Sequence, residues 1–514
     1  MVSKNLGSVG PELSRVLPND DIPWYRKRHL LRLNFSLFSL FLLSASDGYD
    51  GTLMNGLQAL PHWQEFMGTP TGPWLGFVNA VQNLSAFVLY PVVAWCNDRY
   101  GRKVTLGINF CWLVLAVALQ TSAKNSTMFV LGRLFIGGSA SFSAGSAPIL
   151  MAEAAYPTHR GTITALFQCG WYVGSLLAAW VTFGTRNAPA NWSWRIPSLL
   201  QCAIPILAFP GYLMAPESPR WLASKERVEE ARAFLVKYHA GGDETSPLAN
   251  FELQEIVNSL ALEAQYRKST SWLDLFRGHS NLRRSFISVT LGIFAQWNGV
   301  GIVSYYLAPV LRSVGITSVT NQTMISGFLQ LWNLIIAVAA AFNVDRFGRR
   351  PLFLVSSVGM LAAYIVISGL SGSFAQSDTP SIGTAVIPFL FIYYGFYDIA
   401  FTPLLVSYTC EIWPYNLRAW GLGLGMNSTR IALFFNTFVN PIILDAIAWK
   451  YYIVYCVLLV IISVTIWSWY PETKGYTLEE MAVLFDGEKK SRKGVESGVE
   501  KKAAGTDVSY MEKV

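Results

Sequence analysis

Asp50 and Arg133 are charged residues inside long apolar runs, where an ionisable side chain is costly and is usually retained for function. Burial disfavours the charged form of a carboxyl group, and a neighbouring cation favours it. An aspartate whose arginine partner approaches and withdraws would therefore release and take up a proton. The two residues predict proton transfer within a membrane. The alternative is a static buried ion pair that fixes helix packing.

Twelve apolar stretches must position these charges, and each is long enough to cross a bilayer as a helix of about 20 residues. Backbone polar groups in lipid must be satisfied within the segment, so the stretches predict helices and an all-α membrane protein. The predicted spans are 33–57, 73–95, 104–123, 127–150, 161–184, 195–215, 285–308, 323–344, 351–370, 382–409, 419–444 and 450–470.

The composition excludes an ordinary soluble enzyme, a disordered protein and a disulfide-stapled secreted domain. Hydrophobic residues make up 52% of the 514 residues and charged residues only 14%, against about 25% charged in soluble domains. Of the 71 Lys, Arg, Asp and Glu residues, 42 lie in 1–32, 216–284 and 485–514.

The net charge of +7 does not indicate nucleic acid binding, because the basic residues are spread among short turns. The six cysteines lack CxxC spacing, which argues against a disulfide framework or a zinc site.

The distribution of lysine and arginine predicts the orientation in the membrane. The turns after spans 2, 4, 8 and 10 contain basic residues, whereas the turn after span 1 contains none. The positive-inside rule therefore places both termini and the 216–284 segment in the cytoplasm. Sequons at Asn125, Asn191 and Asn321 then fall in outside loops and are predicted glycosylation sites. No cleavable signal peptide is expected.

The chain repeats itself, which predicts two six-span halves. Asp98-Arg99-Tyr100-Gly101-Arg102 follows span 2, and Asp345-Arg346-Phe347-Gly348-Arg349 follows span 8. The predicted domains are 1–32 (cytoplasmic segment), 33–215 (first bundle), 216–284 (linker with amphipathic helices), 285–470 (second bundle) and 471–514 (cytoplasmic tail, mostly disordered).

Eight charges near these turns are predicted to form ion pairs across the two bundles and hold the cytoplasmic side shut. Glu153 precedes Arg160 by seven residues after span 4, as Glu411 precedes Arg418 after span 10. The alternative is that the charges only set topology. The eight residues are Asp98, Arg102, Glu153, Arg160, Asp345, Arg349, Glu411 and Arg418.

At these motifs the chain resembles the sugar porter family of the major facilitator superfamily. Both Asp-Arg-x-Gly-Arg turns match the superfamily pattern, and 216–222 and 471–475 match sugar porter signatures. The resemblance covers about 25–485 and implies the major facilitator fold, with two pseudo-symmetric six-helix bundles. The stretches 48–58, 296–299, 304–306 and 445–455 resemble the fungal lactose permease and cellodextrin transporter branch.

The resemblance also implies roles for individual residues. In proton-coupled sugar porters, the residues that match Asp50 and Arg133 couple protons to transport. Sugar-contacting positions of the family correspond to Gln168, Gln296, Tyr305 and Asn333, for which the alternative is an interhelical hydrogen bond. Trp297, Tyr306 and Trp332 are predicted to add stacking surfaces, with packing or lipid contact as the alternative.

Three departures from hexose porters suggest a wider binding site. Ala295, Gly301 and Val406 stand where hexose porters have larger polar or aromatic residues. The substitutions favour a disaccharide over a hexose, provided that no other residue fills the space. Asp398 and Arg430 are two further charges in spans. We expect them to pair structurally, and the alternative is that Arg430 faces the cavity and favours an acidic substrate.

The sequence therefore predicts a proton-coupled symporter of a sugar, most simply a disaccharide such as lactose or cellobiose. The alternative is a facilitator or exporter of a hexose, sugar acid or glycosylated metabolite without proton coupling. No enzyme is expected, because the chain lacks a Ser-His-Asp set, a metal-ligand set and a P-loop. We expect no cofactor, no metal and no nucleic acid partner. The expected partners are sugar, proton and membrane lipid, for a monomer in the plasma membrane.

Overall fold

Every regular element among the described residues is a helix. The computed structural model describes residues 11–18, 23–269, 271–414, 417–474 and 485. Within these ranges the chain forms α-helices and short 3-10 helices and no strand. The prediction of an all-α architecture is confirmed. The predicted disordered tail falls almost wholly outside the described residues.

The α-helices form an N-terminal set, a linker set and a C-terminal set. The N-terminal set is α1 (Pro11–Val16), α2 (Arg28–Leu57), α3 (Pro61–Met67), α4 (Gly72–Tyr100), α5 (Arg102–Thr121), α6 (Ser126–Ala154), α7 (Arg160–Thr185), α8 (Trp192–Leu199) and α9 (Ala203–Met214). The linker set is α10 (Pro219–Ser224), α11 (Val228–Tyr238) and α12 (Pro247–Ser269). The C-terminal set is α13 (His279–Trp297), α14 (Val300–Ser313), α15 (Val319–Phe347), α16 (Arg349–Ser377), α17 (Pro380–Ile412), α18 (Arg418–Ile447) and α19 (Tyr451–Trp469).

Ten stretches of the described chain are long and apolar enough to cross a membrane. One of them, Arg418–Trp469, has 52 residues. It contains α18 and α19 in succession, so it can cross twice at about 20 residues per crossing. The 26-residue α7 is a further helix of spanning length. Together these helices correspond to the twelve predicted spans.

The two halves share the same local geometry at the repeated turns. α4 and α15 each have 29 residues, and each ends one residue before the glycine of its Asp-Arg-x-Gly-Arg turn. Gly101 has φ 94° and ψ 167°, and Gly348 has φ 88° and ψ 160°. A residue with a Cβ rarely adopts such a positive φ. The glycine in the repeated motif therefore reflects a turn that both halves use.

A break between α13 and α14 interrupts one spanning segment. Gly299 has φ 105°. The carboxamide oxygen of Asn298 accepts a hydrogen bond from the Val300 N–H (3.0 Å), and the Tyr364 and Tyr393 hydroxyls donate to the Gly299 (2.9 Å) and Asn298 (3.2 Å) carbonyls. Side chains thus satisfy backbone groups that the break releases, as irregular backbone at membrane depth requires. Broken helices of this kind form binding sites in secondary transporters.

Replacing Gly299 by alanine is expected to lower the melting temperature of the purified protein. A Cβ at this position would lie 2.5 Å from the hydroxyl oxygen of Tyr364, which is buried in the C-terminal core. Left-handed backbone costs a residue with a side chain about 1–2 kcal/mol, and the steric contact adds to that cost. The control is Gly369→Ala in α16, where a Cβ meets open space and alanine favours the helix. Equal melting temperatures for the two variants would contradict the prediction.

The bundles contact each other along α4–α18 and α7–α15 and are hydrogen-bonded at one end. We call the end where α2 begins and α19 ends the terminal face, and the other end the opposite face. At the opposite face the Asn55 carboxamide oxygen accepts from the Leu307 N–H (3.1 Å), and the Gln58 amide donates to the Tyr305 carbonyl (2.8 Å). Arg312 also donates to the Gln58 carbonyl. These links close the opposite face.

Apolar packing reinforces this closure. Tyr306 of the C-terminal half is buried in a core cluster that otherwise comes almost wholly from the N-terminal half, including Leu53 and Leu57. A further hydrogen bond between the bundles lies near the middle of the helices, from the Asn83 amide to the Thr437 hydroxyl (3.2 Å).

Candidate functional site

Asp50 of α2 and Arg133 of α6 are buried together in the N-terminal bundle. Their exposed fractions are 2% and 3%, and the two charges interact electrostatically. Oδ1 of Asp50 and both Nε and Nη1 of Arg133 nevertheless have no hydrogen-bond partner among the described residues. A buried polar group without a partner is expensive. The two charges are therefore close in space, and their hydrogen-bonding capacity is partly unused.

A second acid, Asp47, lies one helical turn before Asp50 and was not predicted as a site residue. Its Oδ2 accepts a hydrogen bond from the Ser143 hydroxyl of α6 (3.0 Å). It interacts electrostatically with Arg430 of α18 and with Asp50. The i, i+3 spacing places both acids on one helix face, and this signal is visible in the sequence. The N-terminal bundle thus presents two acids, and the C-terminal bundle presents Arg430.

The expected structural pair of Asp398 and Arg430 does not form. Asp398 of α17 is fully buried, and its Oδ1 accepts hydrogen bonds from the Tyr172 hydroxyl of α7 and the Thr402 hydroxyl (2.8 Å). Arg430 instead interacts electrostatically with Asp47 and Tyr305. The expectation is wrong because α7 of the other bundle supplies the hydrogen-bond donor to Asp398. Tyr172 and Asp398 thus form a buried contact between the bundles.

The predicted sugar-contacting residues have different surroundings. Gln296 is half-buried at the end of α13, just before the helix break, and its backbone carbonyl accepts from the Asn436 amide (2.7 Å). Tyr305 is half-buried and lies within electrostatic range of Arg133 and Arg430. Asn333 of α15 is 1% exposed, and its Oδ1 has no hydrogen-bond partner among the described residues. The side chain of Gln168 lies outside the described residues.

Both tryptophans predicted as stacking surfaces donate to helix carbonyls. The Trp297 indole donates to the Ala432 carbonyl (3.1 Å), and its ring packs 5.2 Å from the Phe435 ring. The Trp332 indole donates to the Phe391 carbonyl (2.8 Å), and the side chain is 37% exposed. Packing therefore accounts for the orientation of Trp297, whereas Trp332 leaves more of its ring uncovered.

The extra space expected at Gly301 is absent. A Cβ at Gly301 would lie 2.2 Å from the amide nitrogen of Asn436 on α18. The Tyr455 hydroxyl donates to the Asn440 carboxamide oxygen (2.9 Å) and lies 3.3 Å from that of Asn436. An asparagine from a neighbouring helix thus fills the volume that a larger residue at 301 would use. Sequence reasoning missed Asn436 because nothing along the chain connects it with Gly301.

A charged cluster on the terminal face joins the repeated turn of the first half to the start of the linker. Arg102 forms an ion pair with Glu153 at the end of α6 (3.1 Å). Glu217 accepts from the backbone N–H groups of Arg102 (3.0 Å) and Lys103 (3.1 Å), and Ser218 donates to Glu153 (2.5 Å). We call Arg102, Glu153, Glu217 and Ser218 the N cluster. It ties α5, α6 and the linker together.

The second half contains the same arrangement at its own turn. Arg349 pairs with Glu411 at the end of α17 (3.0 Å). Glu472 accepts from the backbone N–H groups of Arg349 (2.9 Å) and Arg350 (3.1 Å), and Thr473 donates to Glu411 (2.5 Å). We call Arg349, Glu411, Glu472 and Thr473 the C cluster. The Pro-Glu-Ser and Pro-Glu-Thr stretches are the sequence signal for both clusters.

These ion pairs lie within the bundles, not between them. Arg102 pairs with Glu153 and Arg349 pairs with Glu411 because each repeated turn lies beside the end of a helix in its own half. Pairs across the bundles, which the closing of the terminal face would form, stay a prediction. Asp98 is exposed, and its backbone carbonyl accepts from the Trp221 indole (3.0 Å). Of the other three predicted residues, Arg160 begins α7 and Arg418 begins α18, and the side chain of Asp345 lies outside the described residues.

Comparison with known proteins identifies the family. The model of the sugar (and other) transporter family matches residues 37–485, which is most of the chain. The chain belongs to this family. It is a sugar transporter of the major facilitator superfamily, and not an enzyme.

Curated relatives agree with this assignment, and a solved structure shares the fold. The transporter is 27% identical to a high-affinity glucose transporter of Kluyveromyces lactis, over 84% of this chain and 81% of the relative. It is 26% identical to the high-affinity glucose transporter 1 of Candida albicans, over 85% of this chain and 83% of the relative. The inward open conformation of the xylose transporter XylE from E. coli superposes with a TM-score of 0.71 at 23% identity, covering 87% of this chain and 99% of that one. The two curated relatives are named as glucose transporters, so the lactose and cellodextrin branch stays a proposal.

The contributions of the N and C clusters to folding stability are expected to change in opposite directions with pH. Burial raises the pKa of Glu217 above its ordinary 4.5. Burial acts in the same direction on Glu472, but four backbone N–H groups outweigh it and hold the pKa below 4.5. A lowered pKa contributes stability that is lost as pH falls through the folded-state value, and a raised pKa contributes stability that is lost as pH rises.

Glu472→Gln should therefore lower the melting temperature most at neutral pH, and the difference from wild type should shrink on acidification toward about pH 4. For Glu217→Gln, wild type should gain stability relative to the variant as pH falls. Melting curves of the three purified proteins across this range test both signs. Parallel pH profiles for the two variants would contradict the assignment.

Proposed function

We propose that this transporter carries out proton-coupled symport of a neutral sugar by alternating access, with both termini in the cytoplasm. The observation that carries the proposal is the pair of Asp50 and Arg133, which are buried and near each other but leave polar atoms unsatisfied. An acid in this setting gains a proton when its cation withdraws and loses it when the cation approaches. If Asp50 and Arg133 were only a static ion pair that fixes packing, their polar atoms should all be hydrogen-bonded, which is not observed among the described residues.

The distribution of contacts between the bundles supports an inward-open conformation. Hydrogen bonds and apolar packing join the bundles at the opposite face, whereas the N and C clusters each remain within one bundle. We propose that the substrate path runs from the middle of the helices to the terminal face. We propose that the clusters keep each repeated turn rigid while the bundles rock against each other.

The polar residues near the helix break support a sugar as the substrate. Gln296 and Asn333 offer amides, and Tyr305 offers a hydroxyl beside two arginines. The buried Asn333 amide, with its unused hydrogen-bonding capacity, is suited to substrate hydroxyl groups. A disaccharide such as lactose or cellobiose remains our first candidate because of Ala295 and Val406. Asn436 fills the space beside Gly301, so Gly301 no longer supports a wider site. Glucose is therefore included among the substrates tested.

The direct test is uptake of labelled lactose, cellobiose, glucose and xylose in yeast without its own sugar transporters, with external pH recorded. We expect uptake of at least one disaccharide, accompanied by alkalinisation of the medium. Uptake of glucose or xylose alone would refute the disaccharide proposal but not symport. Uptake without a pH change would refute proton coupling. Absence of uptake by protein shown to be at the cell surface would refute the sugar substrate.

A second candidate is transport of an acidic sugar derivative without proton coupling, and Arg430 is the observation that favours it. Arg430 is half-buried at the bundle interface, opposite Asp47, and makes no hydrogen bond among the described residues. Its planar guanidinium could bind a carboxylate with two hydrogen bonds. Uptake of gluconate that Arg430→Gln abolishes, with the pH of the medium unchanged, would favour this candidate over the first.

We propose the plasma membrane as the location, a monomer as the functional unit, and glycosylation at the three sequons. Asn125, Asn191 and Asn321 all lie at the opposite face, between or at the start of helices. Asn125 and Asn321 are exposed, whereas Asn191 is half-buried and accepts from the Trp194 indole (3.1 Å). A mobility shift on removal of N-linked glycans, which Asn125→Gln or Asn321→Gln reduces, would support this orientation.

A further inference from the structure

A cationic cavity lies on the terminal face, well away from Asp50 and Arg133. It has a volume of about 630 Å³ and lies between the beginning of α2 and the surface of α11. This volume is within the range of about 300–1,000 Å³ that is typical of small-molecule sites. The cationic residues that line it are Arg28, Arg32, Arg232 and Lys237. None of the transport roles proposed above uses this cavity.

The charge of the cavity favours an anion. Four permanent cations line it, against two carboxylates, Glu229 and Glu244. Among the described residues, neither carboxylate forms an ion pair with any of the four. Arg232 donates to the Glu244 backbone carbonyl (3.0 Å), and the Lys237 ammonium lies 5.2 Å from the Tyr238 ring. Four cations against two carboxylates give the lining a formal net charge of +2, which favours an anion.

The wall of the cavity is fixed by a close approach between the linker and α2. Gly241 and Gly242 both line the cavity and have φ of 67° and 102°. A Cβ at Gly241 would lie 3.0 Å from the His29 imidazole. The turn after α11 can therefore pass this close to α2 because it has no side chain there. The cavity is thus a feature of the folded linker rather than a gap between loose side chains.

The exposed face of α2 places this cavity at the membrane surface. Leu31, Phe35 and Phe38 are exposed apolar residues at helical spacing. Arg28 lies on the same face one turn before Leu31, and Arg32 lies between Leu31 and Phe35. An apolar exposed stripe on a spanning helix faces hydrocarbon, and cations at its end lie at the level of the lipid headgroups. Trp24 and Tyr25, both exposed, precede the stripe and are typical of this interface.

We propose that this cavity binds the phosphate-bearing headgroup of an anionic phospholipid, whose acyl chains lie along the apolar stripe of α2. Arg28 and Arg32 reach the headgroup from the helix, and Arg232 and Lys237 reach it from the linker. A headgroup with more than one phosphate suits a site with cations on two sides. The bound lipid would join α11 to the helix that carries Asp50. The proposal concerns lipid binding, so its test does not depend on the transport mechanism.

The test measures lipid binding by the full-length protein after delipidation in detergent. The probe is phosphatidylinositol 4-phosphate in mixed micelles, with bound lipid counted by native mass spectrometry. Each basic residue near a membrane surface contributes to binding anionic lipid by roughly fivefold in affinity. The double variant Arg28→Gln/Arg232→Gln should therefore lose affinity about 25-fold. The matched control is Arg227→Gln/Arg277→Gln, which removes the same charge from exposed linker positions and should bind like wild type.

Amide hydrogen exchange and binding of the soluble headgroup provide two further tests of the lipid proposal. Wild-type protein with the lipid should show slower amide hydrogen exchange at 237–244 and unchanged exchange at 271–277, which requires no variant to fold. Inositol 1,4-bisphosphate tests the headgroup without acyl chains and should bind much more weakly. If it binds as tightly as the lipid, a soluble phosphate compound replaces the lipid and the proposal is overturned. Equal affinity of the two double variants, or no protection at 237–244, would overturn it as well.

Discussion

Replacing Asp50 by asparagine is expected to abolish accumulation of sugar against its gradient while leaving exchange intact. Asparagine has nearly the same shape and still offers an oxygen acceptor, but it cannot take up and release a proton. Without proton coupling only the sugar's own gradient drives flux, so the internal-to-external ratio should fall to about 1. The medium should no longer become alkaline when substrate is added. Proteoliposomes with an imposed pH gradient measure both quantities.

The control for this variant is Asp47→Asn, which removes an acid one turn away. Asp47 is hydrogen-bonded to Ser143 and interacts with Arg430 of the other bundle, so its neutral form should alter affinity or rate but retain accumulation. If Asp47→Asn abolishes accumulation and Asp50→Asn does not, the proton site is Asp47. If both variants accumulate sugar like wild type, neither acid couples protons. Counterflow of labelled sugar in the same vesicles shows that each variant is folded and binds substrate.

The fold could be predicted from the sequence because the dominant constraint is local. A membrane span needs a continuous apolar run, and the twelve runs are visible without any tertiary information. The repeated turns also carry their own signal, since Gly101 and Gly348 are required by a positive φ. Helix existence and the twofold repeat therefore followed from residues that are adjacent in the chain.

The candidate site was predictable only in part, because its contacts depend on which helices become neighbours. Asp50 and Arg133 stood out as isolated charges in apolar runs. The hydrogen bond from Tyr172 to Asp398 joins residues 226 positions apart, and no spacing rule connects them. The same is true of Asn436, which occupies the space beside Gly301. Likewise, Arg102 and Arg349 pair with acids of their own bundle because of how each turn packs, which the sequence does not show.

Removing the polar links at the opposite face is expected to shift the transporter toward its outward-facing conformation. In the double variant Asn55→Leu/Gln58→Leu, the Leu307 N–H and the Tyr305 carbonyl lose their partners from the other bundle. Each buried group left without a partner costs about 1–3 kcal/mol. The two lost partners cost the closed opposite face roughly 2–6 kcal/mol. Loss of the unpartnered Asn55 Nδ2 and Gln58 Oε1 offsets part of that cost, so the ratio of conformations should change several-fold.

Spin labels at Lys124 and Ser377 report on this shift, because both positions are exposed at the opposite face and belong to different bundles. With the native cysteines replaced, the double variant should show a longer distance population than the labelled parent protein. Gln64→Leu is the control, since Gln64 donates to the Gln58 carbonyl within its own bundle (2.8 Å). A distance distribution unchanged by the double variant would mean that apolar packing around Tyr306, rather than the hydrogen bonds, keeps the opposite face closed. A similar shift in Gln64→Leu would mean that local distortion of the α2 end, and not loss of contact between bundles, opens that face.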